Sequence, residues 1–417
     1  MDRPKLRKVE RASMMRENAK LVVLRDPLKL CEDVAIDHEF APVLDLLDGH
    51  HSVAQIRQSL LMRGQIDVSL GDLDAFVDQL DLSGWLDGER FIALWTGHQD
   101  RFMEAETIPP RFAGTLYPSA RVDIESIFDR IMPMRPQTRR LRKDRSRATT
   151  LGLVTPYQAL SDTSEGSLMR DLLSDTLRDL PNPESIETVV LLGTDLRIGL
   201  LPYAITDRPY ATALGVLPIA GRLVADLDTR LDWVLQEEIR HDSCPSLELA
   251  SLLLRGAYGD ACPPVLHVLC GQTSLTHVDG RDRADLFAAT LETLLESRGR
   301  CLLWASAEMS HVGPAYNRDE DPAAPVTQDS LLSLRRDMES HDKTLLAPLQ
   351  RGHTDSFTRL CMDRSPSQRP SGTAAIATLA RLLPVGYRMQ RCAYSSAPAP
   401  GGAAGFVGLA GLRFFSS

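Results

Sequence analysis

The chain has 417 residues, of which 43% are hydrophobic and 25% are charged, and its formal net charge at pH 7 is −9. This length predicts two or three domains or one large α/β unit, and the composition excludes a largely disordered chain. The acidic balance argues against a nucleic-acid partner, because a surface that binds phosphates is usually basic.

The N-terminal residues 1–20 are rich in Lys, Arg and Glu and lack the apolar core of a secretory signal. We predict no membrane partner, because the sequence has no run of about 18 apolar residues that could span a bilayer. These features indicate a cytoplasmic protein with residues 1–20 as an N-terminal extension. Its seven cysteines should then be reduced thiols, and their spacing does not match a zinc site.

Residues 21–100 have the pattern of a small separate module. Short strands are predicted at Leu21–Leu24 and Leu28–Cys31, and the segment Trp85–Phe91 is predicted to form a hairpin. Between them, apolar residues recur at helical spacing after residues that start helices. The three predicted helices are Glu39–Leu47, the segment from Ser52 to Gly64, and the segment from Ser69 to Ser83. Three helices followed by a hairpin predict a small winged-helix domain.

This module resembles the PqqD-like winged-helix proteins that bind leader peptides. The similarity rests on Leu44–Gly49, on the helix start Ser52–Ile56 and on the ending Ser83–Leu86. It implies a peptide or protein partner for residues 21–95, with a packing or dimerisation module as the alternative. DNA is a weaker candidate, because the third helix carries acidic side chains that repel phosphate. They are Asp72, Asp74, Asp78 and Asp81.

A basic run occupies residues 135–147, with seven Lys and Arg side chains. Such a run can bind nucleic acid or a membrane surface, or it can form a solvated loop. We predict a solvated loop, because the run is short and the chain as a whole is acidic.

From Leu151 onwards, predicted strands alternate with predicted helices, which is the pattern of an α/β sheet with helices on both faces. Two further strands are predicted in the tail, where they can add an antiparallel pair to the sheet. The predicted strands are Leu151–Val154, Thr188–Gly193, Gly215–Ile219, Val265–Cys270, Cys301–Ala305, Tyr387–Ser395 and Gly405–Phe415. The predicted helices are Ser167–Leu180, Leu223–Asp232, Leu247–Leu254, Asp285–Ser297 and Ser330–Leu346.

Residues 110–417 resemble the Memo family, also known as protein B of the AmmeMemoRadiSam system. Four groups of segments carry the similarity in the order expected for that family. They are Arg111–Pro118, Ala213–Ile219, Ser306–Pro314, and the closing group of Gly372–Leu382, Tyr394-Ser395 and Gly405–Gly408. The resemblance implies a fold like that of the class III extradiol dioxygenases, with a pocket at the ends of the strands.

The resemblance also implies three metal-binding histidines, and this sequence lacks them at the matching positions. Tyr157 stands in place of the first histidine, Leu196 in place of the second and Pro245 in place of the third. Leucine and proline side chains have no donor atom for a metal, and tyrosine alone is a poor site for a divalent ion. His311 still matches the family's pattern. The sequence therefore predicts a degenerate metal site and no cofactor.

A shifted alignment would provide other ligands. His241, Asp242 and His311 would form a set of two histidines and one carboxylate, which is suited to non-haem iron or another transition metal. The alternative for His241 is an exposed position in a polar loop, and for His311 a structural role at a turn.

Two functions remain open at this point. The first is a non-catalytic binding or scaffold protein linked to a radical-SAM or peptide-modification system. The second is an iron-dependent oxidoreductase that uses His241, Asp242 and His311. The catalytic candidates are Glu308, Ser310 and His311, and the expected pocket residues are Tyr157, Asp195 and Glu248.

Overall fold

A computed structural model describes most of the chain. The described residues are 2–16, 19–26, 28, 30–64, 66–132, 149–160, 164–196, 199–276, 278–316, 327–364, 369–399 and 404–416. The predicted basic loop at 135–147 lies outside them. The chain divides into two compact units, of which the first is mainly residues 1–105. The second contains residues 106–317, 326–398 and 405–417.

The first unit combines a three-stranded antiparallel sheet with four helices. The strand order is β1-β2-β3, and β1 lies in the segment 1–20 that was expected to be an extension. Its elements are β1 Glu10–Arg16, β2 Ala19–Arg25, β3 Val34–Asp37, α1 Ala41–Leu46, α2 Val53–Met62, α3 Leu70–Leu82 and α4 Glu89–Glu104. The three predicted helices are confirmed as α1, α2 and α3. Ser52 and Ser69 cap α2 and α3 as expected, because each hydroxyl accepts a backbone N–H of the first turn.

The predicted strand at Leu28–Cys31 is wrong, and Asp26 explains why. The buried Asp26 carboxylate accepts the backbone N–H groups of Leu28, Leu30 and Cys31 at 2.9–3.1 Å. Amide groups that point to one carboxylate cannot also join a strand ladder. Arg7, which is also buried, pairs with Asp26 at 3.0 Å and balances its charge. The third strand therefore starts later, at β3.

The predicted hairpin at Trp85–Phe91 is also wrong, because α4 begins at Glu89. Trp85 and Leu86 are buried in the core of the first unit, so they pack against its helices and strands and do not form an exposed hairpin. Beyond them, His98 and Phe102 lie one turn apart on the buried side of α4. The sheet of this unit thus precedes its helices, whereas a winged helix was expected to place a hairpin after them.

The second unit is built around an eight-stranded mixed sheet. Its strands are β4 Thr150–Thr155, β5 Thr188–Asp195, β6 Tyr203–Ile205, β9 Val265–Gly271, β10 Cys301–Ser306, β11 His311–Val312, β12 Arg388–Pro398 and β13 Phe406–Phe415, with the separate pair β7 Ala211–Thr212 and β8 Gly215–Val216. Its helices are α5 Arg121–Ile131, α6 Ser164–Leu177, α7 Gly221–Arg230, α8 Pro245–Tyr258, α9 Thr273–Thr276, α10 Val278–Glu296, α11 Gln328–Gln350, α12 Thr354–Met362 and α13 Thr373–Leu382.

The main sheet has the order β11-β13-β4-β10-β5-β9-β6, and β12 pairs with β13. Its centre, β4-β10-β5-β9, is parallel, whereas β6 and β13 are antiparallel to their neighbours. The expected antiparallel addition by the two tail strands is confirmed in β12 and β13. The predicted strand at Gly215–Ile219 shrinks to β8, which pairs with β7 outside the main sheet.

Helices cover both faces of the parallel strands, as the alternating pattern predicted. Every residue of β5 and β9 is buried, which requires a cover on each face. Leu247 of α8 lies against Gly193 of β5, and Leu379 of α13 lies against Gly152 of β4. The mixed α/β architecture is therefore confirmed.

Candidate functional site

The four parallel strands end at one edge of the sheet, and most of the predicted site residues follow those ends. β4 ends at Thr155, β10 at Ser306, β5 at Asp195 and β9 at Gly271. In an open α/β sheet, ligands bind at this carboxyl edge. The polar side chains at this edge therefore define the candidate site, and their partners decide what each one can do.

Three hydroxyl groups at this edge are buried and form no hydrogen bond of normal geometry with the described residues. They belong to Tyr157, Ser306 and Ser371. Ser306 lies between β4 and β5 in register with Thr155. The pKa of Tyr157 is raised well above its ordinary value, first by burial and then by the nearby Glu308 carboxylate, while Ser371 acts in the opposite direction. Ser371 is therefore close to Tyr157, although the two hydroxyls do not form a hydrogen bond of normal geometry.

Glu308 and His311, two predicted catalytic residues, are in contact. His311 Nε2 lies 3.2 Å from Glu308 Oε2, and the other oxygen of Glu308 accepts the Gln158 side-chain amide at 2.6 Å. The His311 ring also meets Tyr316 edge to face, with ring centroids 4.8 Å apart. Glu308 is 2% exposed, so this carboxylate depends on protein donors rather than on bulk water. The pair can hold or move a proton between imidazole and carboxylate.

Ser310 is a predicted catalytic candidate, and the structure gives it a different set of contacts. Its hydroxyl donates to Asp342 Oδ1 at 2.5 Å, and the Tyr394 hydroxyl donates to Asp342 Oδ2 at 2.6 Å. All of Asp342 is buried in α11, and burial raises its pKa. Gly408 makes this approach possible, because a Cβ atom at that position would overlap the Asp342 carboxylate. Ser310 thus fastens its own loop to α11.

His241 is buried and both of its ring nitrogens are engaged. Nδ1 lies 2.9 Å from the Tyr210 hydroxyl and Nε2 lies 3.1 Å from the Ala204 carbonyl oxygen. A neutral ring that donates from Nε2 and accepts at Nδ1 satisfies both contacts. The expectation of an exposed His241 in a polar loop is therefore wrong, since the residue is 1% exposed. A metal at His241 would have to displace one of these partners.

Asp242 and Glu248 both hold the segment that begins the family resemblance. Asp242 forms an ion pair with the Arg111 guanidinium at 2.9 Å. Glu248 accepts the backbone N–H groups of Arg111 and Phe112 at 2.8 Å each and the Tyr117 hydroxyl at 2.5 Å. Burial raises the pKa of Glu248. Glu248 was expected to line a pocket, but its donors show that it anchors residues 111–117.

Asp195, the other expected pocket residue, is likewise committed to a protein partner. It is buried at the end of β5, and Arg240 Nε donates to its carboxylate at 2.6 Å. Arg240 also donates to the Leu201 carbonyl oxygen at 3.1 Å and pairs with Glu237. A buried ion pair with this many partners is part of the scaffold, because removal of either charge would leave the other uncompensated.

The donor set at the strand ends does not fit a metal. Leu196 and Pro245 offer no donor atom, and Tyr157 contributes one phenol. Within the part of the chain that the structure describes, no group of three or more His, Cys, Asp or Glu side chains could hold a metal ion. The alternative set of His241, Asp242 and His311 is accordingly not brought together. Each of these three residues has the protein partners described above.

Sequence reasoning missed several members of this site. Asp342 was placed in a predicted helix without a role, and Gln158 and Ser371 were not selected. Tyr394 lies in a segment that carries the resemblance, so a signal for it existed. Asp342 had no such signal. It lies in α11, a separate helix that starts after Ser310 in the chain, and only the folded structure brings it to Ser310.

The architecture and the carboxyl-edge site define this second unit as an α/β domain of an open mixed sheet. A family model described as Memo-like protein matches residues 109–391. The chain therefore belongs to the Memo family, as the sequence motifs indicated. No helix in the described ranges is long and apolar enough to cross a membrane.

Other comparisons add little to this assignment. No curated protein matches the chain significantly. Among solved structures, the chain is similar to the crystal structure of the uncharacterized protein JW3007 from Escherichia coli K12. The identity is 11% and the TM-score is 0.37, with 63% of this chain and 99% of that chain covered.

Proposed function

We propose that this Memo-family chain is a non-catalytic binding or scaffold protein with a degenerate metal site. The observation that carries the proposal is the chemistry of the three matching positions, where Tyr157, Leu196 and Pro245 stand in place of histidines. Groups around a metal can tune its ligands but cannot replace missing ones. The open hydroxyls of Tyr157, Ser306 and Ser371 also support binding, since buried polar groups without protein partners are uncommon in native proteins.

Metal analysis of the full chain tests this proposal. Protein purified from cultures supplemented with iron, copper and zinc is expected to contain no stoichiometric metal. The variant His311→Ala should give the same result as the unchanged protein. His353→Ala is a matched control, because it removes an imidazole at the N-cap of α12.

Either of two results would contradict the proposal. Stoichiometric metal that is lost in His311→Ala and retained in His353→Ala would identify a working metal centre at the carboxyl edge. Metal that is lost in neither variant, or in both, would contradict the expectation of a metal-free chain and would indicate a metal site elsewhere than at His311.

The alternative is a non-haem-iron oxidoreductase that uses His241, Asp242 and His311. It draws on the contact of His311 with Glu308, which already places one imidazole beside one carboxylate. It requires His241 to leave Tyr210 and Ala204, and Asp242 to leave Arg111. Iron that is retained in His311→Ala but lost in His241→Ala would favour neither function, whereas iron lost in both variants favours the enzyme.

We further propose that the first unit is a PqqD-like module that binds a peptide, which would link the chain to a peptide-modification or radical-SAM system of the AmmeMemoRadiSam type. The outer strands β1 and β3 support this, because an extended peptide can add to the edge of a sheet. Acidic residues on α3 favour such a partner over DNA.

Hydrogen exchange on the full chain tests the peptide proposal. The probe is a synthetic leader segment from a precursor peptide of a system that uses a PqqD-like protein. Binding should slow exchange in residues 10–16 or 34–37. Protection confined to the second unit, or the same protection by a scrambled leader, would contradict it.

A further inference from the structure

A polar cleft of about 520 Å³ lies between α11 and β12. One wall is a single face of α11, because its residues follow each other at intervals of four. The other wall is a run of five consecutive residues of β12. The lining residues are Arg335, Glu339, Lys343, Arg391, Cys392, Ala393, Tyr394 and Ser395.

The strand borders the cleft with its backbone edge. Successive side chains of a strand point to opposite faces, so a run of five consecutive residues along one cleft indicates that the backbone edge contributes to its wall. β12 pairs with β13 on one side, and among the described residues no strand pairs with its other side. An edge of this kind presents unpaired N–H and C=O groups to another chain.

The cleft carries an excess of positive charge. Arg335 donates to Glu339 at 3.0 Å, and these two charges offset each other. Lys343 and Arg391 are exposed and have no ion pair among the described residues. They lie on opposite walls, so an anionic group in the cleft can meet both.

The edge is held in place before any partner arrives. Tyr394 is fixed by its hydrogen bond to Asp342, and the Ser396 hydroxyl lies 2.6 Å from Arg335 Nε and 2.9 Å from Glu339 Oε1. These contacts tie alternate residues of β12 to α11. A strand that is already ordered loses little conformational freedom on pairing, which favours binding.

We propose that this cleft binds an extended acidic segment of a partner protein, which adds to β12 as a further strand. The segment would pair with residues 393–397, between the irregularity at Cys392 and Pro398, which has no N–H to donate. Its carboxylates would meet Lys343 and Arg391. The proposal concerns the free edge of β12 and not the hydroxyl groups at the strand ends, although Tyr394 contacts both regions, and it does not depend on the proposed function.

The charges select this occupant over a second copy of the chain. The β12 segment of a second copy has no acidic side chain at positions 393–397 to meet Lys343 and Arg391, because it reads Ala-Tyr-Ser-Ser-Ala. A free anion would use the two cations without the edge. An acidic strand uses both features.

Fluorescence anisotropy with the full chain tests the proposal. The probe is a labelled peptide of about ten residues with alternating Glu and Val, a pattern that favours an extended strand with one acidic face. The double variant Lys343→Glu, Arg391→Glu should weaken its binding at least about tenfold, because two attractive charges become repulsive. The matched control reverses Arg222 and Arg230, two exposed cations on α7, and should bind like the unchanged chain.

A second probe separates strand addition from simple charge attraction. N-methylation of every second amide removes half of the peptide's hydrogen-bond donors. Two such peptides can be made, one methylated at the odd-numbered amides and one at the even-numbered amides, and these are the two phases. One phase should weaken binding at least about tenfold and the other much less, because only one edge of the peptide faces β12. Equal binding of both methylated peptides, or full displacement by inorganic phosphate at the peptide's own concentration, would overturn the proposal in favour of an anion site. Equal loss in the α7 control would overturn it as non-specific attraction.

Discussion

The second unit contains two sets of buried polar groups, and they differ in whether their hydrogen-bonding capacity is used. The saturated set consists of Glu248, Asp342 and His241, each with two or more protein partners. The open set consists of the Tyr157, Ser306 and Ser371 hydroxyls, which form no hydrogen bond of normal geometry in the part of the chain that the structure describes. Saturation marks groups that hold the fold, whereas open groups are the ones that a ligand can use.

The largest expected effect in this comparison comes from Glu248→Ala. This change leaves two backbone N–H groups and the Tyr117 hydroxyl without their acceptor. Each buried donor left unpaired costs about 1–3 kcal/mol, and the two backbone donors are only partly buried, so we expect the free energy of unfolding to fall by about 3–5 kcal/mol, towards the lower end of the summed range. Urea unfolding of the second unit measures it.

Glu248→Gln serves as the control for that change. Its amide oxygen can still accept one or two donors, but its NH₂ group opposes the remaining N–H. The loss should therefore fall between those of the unchanged chain and Glu248→Ala. A loss below about 1 kcal/mol in Glu248→Ala would mean that water replaces the carboxylate, and Glu248 would leave the saturated set.

A smaller loss is expected for Gly408→Ala. The added Cβ would overlap the Asp342 carboxylate and push it away from Ser310 and Tyr394. Overpacking of a buried site costs about 1–3 kcal/mol, so thermal unfolding should shift downwards accordingly. Gly221→Ala is the matched control, because nothing lies within 4 Å of its added Cβ. An equal shift in both variants would show that the Asp342 contacts do not matter to stability.

Much of the fold could be predicted from the sequence, because local patterns decide it. The buried strands β5 and β9 appear as apolar runs, and the apolar residues of α5 recur at helical spacing, although that helix was not selected. They are Ile124, Ile127, Phe128 and Ile131. The loop at Asp26 could not be predicted, because a carboxylate that gathers three amides leaves no periodic trace.

The site was less predictable than the fold. Family motifs selected Glu308 and His311, which the structure brings together. The motifs could not distinguish a pocket residue from a structural anchor, because carboxylates such as Glu248 and Asp195 can serve in either role. What separates them is the set of partners, Arg111 and Arg240 among them, and those contacts join residues that are far apart in the chain.

His267 sharpens the comparison through pH. It is buried in β9, its Nε2 lies 3.0 Å from the Ser251 hydroxyl, and burial lowers its pKa from 6.5 to about 3. The unfolded chain therefore binds the proton more readily. The contribution of neutral His267 to the free energy of unfolding is fully present above pH 6.5 and is lost as the pH falls towards 3. Between pH 7 and pH 5 the free energy of unfolding should fall by about 2 kcal/mol from this cause.

His267→Phe isolates this effect, because a phenyl ring can keep the stacking on Tyr210 but cannot titrate. The difference in unfolding free energy between the unchanged chain and the variant should shift by about 2 kcal/mol over that interval, which removes the contributions of all other groups. A difference that does not change with pH would show that His267 is already charged or accessible in the folded chain.

The smallest expected effect belongs to the open set. Tyr157→Phe removes a buried hydroxyl that forms no hydrogen bond of normal geometry with the described residues, so the free energy of unfolding should change by less than about 1 kcal/mol. Urea unfolding of Tyr157→Phe and Glu248→Ala under the same conditions measures the smallest and the largest expected change in unfolding free energy. Tyr117→Phe is the matched control, because it removes the same atom where Glu248 accepts it, and it should cost more. If Tyr157→Phe destabilised the chain as much as Tyr117→Phe, the Tyr157 hydroxyl would be a structural group. That result would contradict the inference that it is available to a ligand.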